Sequence, residues 1–170
     1  MASDPIRELL TQLGDRDGGT RRRARETLVA IGEPAVPSLV ELLGRSEVRL
    51  RWEAAKALTE IPDPAAIPGL VSLLADDESD IRWLAATGLI NIGYRSVPSV
   101  LQALTVRAES KGLRDASHHV FNDLSKRNGV AGEILKPVLE VLGDTDAIAA
   151  ICARAEVALH EWRALGGGKG

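Results

Sequence analysis

Apolar residues along this 170-residue chain recur at helical spacings in segments of two lengths. In RWEAAKALTEI (51–61), Ala54, Leu58 and Ile61 stand at positions i, i+4 and i+7, which places them on one face of an α-helix. In VPSLVELL (36–43), the apolar residues form a shorter amphipathic helix, with a proline in the first turn where a missing N–H costs nothing. The pattern therefore predicts short and long helices that alternate along the chain.

This pair of helices is repeated with a period of about thirty residues. Four sets of residues recur at spacings of 30 or 31: Leu28, Leu58 and Leu89; Ile31, Ile61 and Ile92; Pro37, Pro68 and Pro98; Leu43, Leu74 and Leu104. Turn-forming stretches, IGEPA, IPDPA and IGYRS, separate successive units. A period of this length is typical of a solenoid, because each unit buries its apolar face against its neighbours. The sequence therefore predicts an all-α fold.

Less regular units extend the pattern at both ends of the chain. LRDASHHVFNDL (113–124) is predicted as the fourth long helix, with Phe121 in the place of the repeated leucine and a longer connection (125–133) after it. Three further helices are predicted at residues 4–13, 134–142 and 151–162. We expect five helix pairs in a single domain over residues 1–165, followed by a flexible glycine-rich tail over residues 166–170.

The repeated residues also resemble a known class of repeat. The pattern Arg-Trp-x-Ala-Ala-x-x-Leu-x-x-Ile, a proline-containing turn, and Val/Ile-Pro-x-Leu-x-x-Leu-Leu is similar to the short HEAT-like repeats first associated with phycobilin lyases, most clearly over residues 20–104. The resemblance implies a right-handed α-solenoid whose second helices line a concave surface where partners dock. It also implies that Arg51, Arg82 and Arg114, at one repeat position, are structural and tie neighbouring units together. Such repeats occur in lyase subunits, metal enzymes and plain scaffolds, so the resemblance specifies the fold more than the function.

Two tryptophans, Trp52 and Trp83, recur at the same position of successive long helices. On a helical wheel they lie at the margin between the core stripe and the far side of the helix. Because neighbouring units stack about 10 Å apart, we expect the indoles to form a short ladder beside the concave surface. Two interpretations remain open: the indoles plug the groove between adjacent long helices, or they anchor a partner protein. Both can hold at once.

The same wheel supplies the rest of a predicted partner-binding surface. It places Leu84 far from the core and Ile90 at the margin, so we expect both to be exposed and to extend an apolar patch. Polar residues on the far side of the long helices would form the rim of this patch. The complete predicted set is Trp52, Glu53, Lys56, Trp83, Leu84, Thr87, Ile90, His119 and Asp123.

The dipeptide His118-His119 is the most unusual candidate for chemistry. His119 and Asp123 share a helix face at i, i+4, which suits a pair of metal ligands. Adjacent histidines diverge by about 100° around a helix, however, and cannot easily hold one ion. We expect instead that His118 is buried and bonds to the backbone of the 125–133 connection. The sequence thus predicts no metal, no cofactor and no catalytic residue, and an unfolding transition that a chelator leaves unchanged.

Composition and charge narrow the function further. The chain is 45% hydrophobic but only 3% aromatic, and its net charge of −3 creates no general attraction for nucleic acid or anionic membranes. The basic run RRRAR (21–25) is expected to be a solvated helix start, because acidic residues such as Glu53 and Asp115 face the same side. A single cysteine, Cys152, is expected to be buried, cannot form an internal disulfide, and suits a reducing compartment. No signal peptide or membrane span is predicted.

These observations predict a non-enzymatic scaffold that presents a concave helical surface to another protein. The first alternative, implied by the repeat class, is an accessory or lyase-type subunit in phycobilin attachment or removal, although Cys152 on an alanine-rich helix is a poor residue for a bilin thioether. The second alternative is nucleic-acid binding. We expect a cytoplasmic monomer.

Overall fold

Short and long α-helices alternate along the first four repeat units. The computed structural model describes residues 5–144 and 146–166, which contain no β-strand. The α-helices in these residues are α1 (Pro5–Gln12), α2 (Gly18–Ile31), α3 (Val36–Leu43), α4 (Val48–Glu60), α5 (Ile67–Leu73), α6 (Ser79–Ile92), α7 (Val97–Arg107), α8 (Lys111–Ser125), α9 (Gly129–Leu142) and α10 (Ile148–Ala164). Short 3-10 turns lead directly into α3, α5 and α7, where the repeated prolines occupy the first helical turn.

The helices stack in two layers. The long helices α2, α4, α6 and α8 pack side by side, and α1, α3, α5 and α7 form a second layer behind them. The residues that define the repeat meet between the layers, because Leu28, Leu58, Leu89 and Phe121 are all fully buried. The predicted right-handed α-solenoid of helix pairs is therefore confirmed, and Phe121 does take the place of the repeated leucine.

Two of the long helices end in a turn that needs glycine. Gly32 follows α2 with a φ of +74° and Gly93 follows α6 with a φ of +83°, a region in which an L side chain is strained. The backbone N–H of each glycine bonds back to the last turn of its helix, and the chain then enters the 3-10 turn of the next unit. Helix α4 ends without glycine at Glu60, and the Ile61 that follows precedes Pro62, which cannot continue a helix.

An arginine at the fourth position of each of the first four long helices closes the turn before that helix. Its Nη1 atom donates to two backbone carbonyls, five and six residues earlier, at distances between 2.6 and 3.0 Å. These arginines are Arg21, Arg51, Arg82 and Arg114. A structural role is thus confirmed for Arg51, Arg82 and Arg114, but these Nη1 bonds lie within one unit and do not tie neighbouring units together. The Nε atoms of Arg21 and Arg51 also donate to carboxylates of the following unit, in Glu53 and Asp76.

The fifth helix pair departs from the arrangement of the first four. Helix α9 begins at Gly129, so the prediction of a long connection over 125–133 was wrong. Helix α9 packs on α8, and α10 packs on α7, so the second helix of this pair joins the layer of first helices. Cys152 Sγ in α10 lies 3.6 Å from the carbonyl oxygen of Leu104 in α7. Cys152 is partly buried.

The described helices share one apolar core, which runs from Leu13 to Trp162. Of the predicted glycine-rich tail, only Gly166 belongs to the described residues, and the remainder, 167–170, lies outside them. Within the described part of the chain, no helix is both long enough and apolar enough to cross a membrane.

Candidate interaction surface

The two tryptophans occupy equivalent places on adjacent long helices. Trp52 is the fifth residue of α4 and Trp83 is the fifth residue of α6, and each directly follows a turn-closing arginine. Because the arginine ties the start of its helix to the preceding turn, the next residue projects from a fixed backbone. Trp52 is partly buried, whereas 59% of Trp83 is exposed to solvent.

Three clefts follow one another across the long-helix layer, and the tryptophans separate them. The first cleft, between α2 and α4, has a volume of about 530 Å³ and is lined by Arg21, Val48, Arg49, Trp52 and Glu53. The second, between α4 and α6, has a volume of about 250 Å³ and is lined by Trp52, Lys56, Asp80, Trp83 and Leu84. The third, between α6 and α8, has a volume of about 170 Å³, and its lining includes Trp83, Ala86, Asp115 and His119. We call these clefts and their two indoles the tryptophan row.

Leu84 and Ile90 are buried, which corrects the prediction that they extend an exposed apolar patch. Only 4% of Leu84 and 7% of Ile90 is exposed. A helical wheel with one core stripe treats a helix as packed on a single neighbour, but α6 packs on α4, α5 and α8. Both flanks of the helix are therefore covered as well. Leu84 lies at the bottom of the second cleft rather than on its rim.

Glu53 is also buried, although the wheel predicted it as part of a polar rim. Its carboxylate accepts hydrogen bonds from Arg21 Nε at 3.0 Å and from Arg25 Nη1 in an ion pair. The Arg25 guanidinium also lies over the Trp52 ring, 5.7 Å from the ring centroid, in a cation–π arrangement. The run RRRAR is therefore a solvated helix start only in part, since Arg21 and Arg25 form this cluster and their two intervening arginines are exposed.

Lys56 and Thr87 stand at one repeat position on α4 and α6. Lys56 is partly buried, lines the second cleft, and has its Nζ atom 3.8 Å from a carboxylate oxygen of Glu60. The Thr87 hydroxyl donates to the carbonyl of Trp83 at 2.9 Å, so it is engaged within its own helix. The predicted role of both residues in partner binding stays a prediction.

The structure places one of the two adjacent histidines differently from the prediction. His118 is exposed, so the expectation of a buried His118 bonded to the following connection was wrong. Helix α9 begins too early to leave such a connection. His119 is exposed and lines the third cleft, whereas Asp123 pairs with Arg127 at 2.5 Å. Over residues 5–144 and 146–166, no group of three or more His, Cys, Asp or Glu side chains could hold a metal ion.

A partly buried ion pair fixes α4 to the turn before α6. Arg51 Nε donates to Asp76 Oδ2 at 2.7 Å, and Arg51 Nη2 donates to Asp76 Oδ1 at 3.1 Å. Burial alone would raise the pKa of Asp76, but the hydrogen bonds from Arg51 and from the Glu78 amide outweigh it and hold that pKa below its ordinary value. The pKa of Arg51 is raised, chiefly by its hydrogen bond to Asp76.

Several residues of the tryptophan row were absent from the predicted surface. Arg25, Asp80 and Asp115 were not assigned to it, although they line the clefts or cover an indole. A signal for Asp115 exists in the sequence, since it takes the place of Trp52 and Trp83 in the fourth unit. The position of Arg25 has no such signal, because its contact with Trp52 is made between two units and depends on how they stack.

The sequence and the fold were compared with those of known proteins. A family profile described as HEAT repeats matches residues 6–90 and 36–122. The complex of CpcE and CpcF of phycocyanin lyase from Nostoc sp. PCC7120 shares the fold, with 24% identity, a TM-score of 0.60, and coverage of 90% of this chain and 96% of that chain. Two engineered proteins are 22% and 21% identical, with TM-scores of 0.47 and 0.45, over 92% and 94% of this chain and 78% and 81% of theirs. No curated protein matches the sequence.

The two matches to the family profile overlap, and together they extend from residue 6 to residue 122, from α1 into α8. The matched region makes up more than half of the 170 residues, and it coincides with the four units that stack regularly. The predicted resemblance to HEAT-like repeats is confirmed, and the chain belongs to the HEAT repeat family.

Proposed function

We propose that this protein is a non-enzymatic scaffold that binds a segment of another protein along the tryptophan row. The observation that carries the proposal is the exposure of Trp83 between two clefts. A large indole whose surface is mostly exposed to water contributes little to the stability of the fold, but it can bury that surface against a partner. Tryptophan is among the residues that most often dominate the binding energy of an interface.

The surroundings of Trp83 support a binding role in two further ways. Both of its adjoining clefts are walled by helices whose N-terminal turns are closed by arginine, which makes the surface rigid before a partner arrives. Rigidity reduces the ordering cost of association. In addition, the second cleft has an apolar bottom at Leu84 and opposite charges at Lys56 and Asp80, the combination of apolar centre and polar rim that protein interfaces use.

The proposal can be tested with a random peptide library displayed on phage and selected on the full chain. The selected peptides would then be titrated against Trp83→Ala and Val106→Ala. Val106 is the matched control, because it is 67% exposed but lies on α7 in the other layer. We expect Trp83→Ala to weaken binding at least about thirtyfold, the equivalent of a hot spot worth about 2 kcal/mol. Val106→Ala should change nothing. Peptides that bind equally to both variants would refute the proposal.

A lyase-type subunit in phycobilin attachment or removal is the second candidate, favoured by the similarity in fold to the CpcE–CpcF complex. It requires that the chain bind a phycobiliprotein subunit. A titration of phycocyanin subunits, with and without bilin, against the wild type and Trp83→Ala separates the candidates. Saturable binding that depends on the bilin would favour the lyase-type function over a general scaffold. Nucleic-acid binding stays a third possibility, tested by the same titration with labelled DNA.

A further inference from the structure

We propose that the partner segment is a polyproline II helix that carries an acidic side chain in the first cleft and an apolar side chain, proline or leucine, three residues away in the second cleft. This inference rests on the proposed function and specifies the ligand of the same surface. It follows from two properties of the tryptophan row: the distance between its clefts and the charge of the first cleft.

The spacing of the clefts favours a polyproline II conformation. Adjacent packed helices lie about 8–10 Å apart, and Trp52 and Trp83 hold equivalent positions on adjacent helices, so the clefts repeat at about that distance. A polyproline II helix has three residues per turn and rises about 3.1 Å per residue, which places side chains of one face about 9.3 Å apart. A β-strand repeats its face about every 6.8 Å and does not match.

An α-helix fits the row less well than a polyproline II segment. It reaches a comparable spacing only between residues i and i+7, about 10.5 Å apart, and it is about 10–12 Å across with its side chains. A rod of that width lies over the second cleft, whose volume is about 250 Å³, and cannot enter it. The walls of that cleft are the indoles of Trp52 and Trp83, and polyproline II ligands dock in aromatic-lined grooves of this kind.

The first cleft carries a local excess of positive charge in a chain whose net charge is −3. Arg21 and Arg49 line it, and Arg25 lies over the neighbouring Trp52 ring. The carboxylate in the lining of this cleft, Glu53, already accepts hydrogen bonds from Arg21 and Arg25. The positive charge of Arg49 is therefore left unneutralised by the lining. The exposed Arg49 guanidinium has five N–H donors, one of which bonds the carbonyl of Asp15 at 3.3 Å. An acidic side chain is the complementary ligand.

The test uses seven-residue peptides with the sequence Asp-Pro-Pro-Leu-Pro-Pro-Leu and its reverse, since polyproline II ligands can lie in either direction. Matched peptides replace the aspartate by asparagine or lysine. Two spacing variants remove or add one proline between the aspartate and the first leucine. We expect the wild type to bind the aspartate peptide roughly twofold to fivefold more tightly than the lysine peptide, the effect of one solvent-exposed ion pair. Both spacing variants should bind more weakly.

Variants of the protein separate charge recognition from folding. Arg49→Glu should reverse the preference, so that the lysine peptide binds more tightly, and Arg49→Gln should abolish it. Arg154→Glu on α10 is the control, because Arg154 is also exposed but lies away from the row, and it should leave the preference unchanged. Circular dichroism and the melting temperature report whether each variant is folded.

The outcomes distinguish this inference from the proposed function. If selected library peptides depend on Trp83 but neither the acidic residue nor the three-residue spacing affects their affinity, the polyproline II inference is overturned and the scaffold proposal stands. If Trp83→Ala leaves every peptide unaffected, the scaffold proposal itself fails. An unchanged preference in Arg49→Glu, with the fold intact, would show that the first cleft is not the acidic subsite.

Discussion

Two neighbouring interfaces in the long-helix layer use different chemistry at one repeat position. Between α2 and α4, Glu53 points back at the preceding helix and pairs with Arg21 and Arg25. Between α4 and α6, the equivalent residue is Leu84, which packs in the cleft between the two tryptophans. Both residues are 4% exposed. The repeat position therefore fixes where a side chain lies, and its neighbours decide whether that place is polar or apolar.

The same comparison accounts for the difference in exposure between Trp52, which is partly buried, and Trp83, which is mostly exposed. Arg25 of the first unit reaches over the Trp52 ring. The equivalent residue of the second unit, which would face Trp83, is Ala55, and its methyl group is too short to cover an indole. The substitution of alanine for arginine at this position leaves most of Trp83 open to solvent. The residue at this position therefore covers part of the next tryptophan in the first unit, where it is Arg25, and is too small to do so in the second, where it is Ala55.

The largest effect that tests this comparison is expected from Leu84→Ser. Removing a buried leucine leaves a cavity, and the new hydroxyl needs a hydrogen-bond partner at the bottom of the cleft. We expect a loss of about 3 kcal/mol or more in the free energy of unfolding, measured by urea denaturation. Val106→Ser, at an exposed apolar residue, should cost less than about 0.5 kcal/mol. A Leu84→Ser protein as stable as the wild type would show that the α4–α6 interface does not pack as described.

Glu53→Gln should produce the next largest loss of stability. The amide keeps the shape of the side chain but removes the charge that Arg21 and Arg25 share. Both arginines are mostly buried, so the loss should be about 2 kcal/mol, below the cost of breaking a fully buried pair. Urea denaturation measures it, and Glu41→Gln, at an exposed glutamate of α3, serves as the control. Equal stability of the two variants would mean that the ion pairs contribute nothing net.

The fold was largely predictable because its repeat signal is strong where the units stack regularly. The short helix 36–43 was predicted with the bounds of α3, and Phe121 was assigned to its repeat position. The fifth pair was harder to predict. Helix α9 carries its proline, Pro137, inside the helix rather than in the first turn, and the packing of α9 and α10 on α8 and α7 depends on tertiary contacts. No local sequence pattern indicates that the first helix of this pair packs on the long-helix layer and the second on the other layer.

The candidate surface was only partly predictable from the sequence. The two tryptophans could be placed at adjacent, equivalent positions from the repeat alone. Leu84 and Glu53 were misplaced because a wheel measures direction around one helix, whereas burial in a stacked layer depends on the helices on both sides. The cover that Arg25 provides for Trp52 is a contact between units, 27 residues apart in the sequence, and periodicity within one helix does not reveal it.

The third prediction contrasts the two tryptophans directly. Trp52→Ala removes a partly buried ring and its cation–π contact with Arg25, so we expect a loss of about 2 kcal/mol in the free energy of unfolding. Trp83→Ala removes a mostly exposed ring and should cost about 1 kcal/mol or less. Parallel urea denaturation of the two variants measures the difference. Equal losses would mean that Arg25 does not distinguish the two sites in solution.

The smallest expected effect is the loss of stability at low pH. Acid should weaken the ion pair between Arg51 and Asp76 but not the apolar packing of Leu84. The pKa of Asp76 is lowered from an ordinary value of 3.8. A carboxyl group whose pKa is lower in the folded state stabilises the fold above its unfolded pKa, and that contribution is lost as the pH falls through the folded pKa. The Asp76 contribution should thus be complete above about pH 5 and decline below about pH 4.

Asp76→Asn removes this titration while keeping the size of the side chain. The wild type should lose more stability than Asp76→Asn as the pH falls from about 5 to about 3, in urea denaturation at each pH. Asp77→Asn is the matched control, because Asp77 is exposed beside it and pairs with no arginine side chain among the described residues, so this variant should follow the wild type. If Asp76→Asn and the wild type lose stability in parallel, the ion pair that joins α4 to the next unit is not formed in solution, and the packing around Leu84 must hold that junction alone.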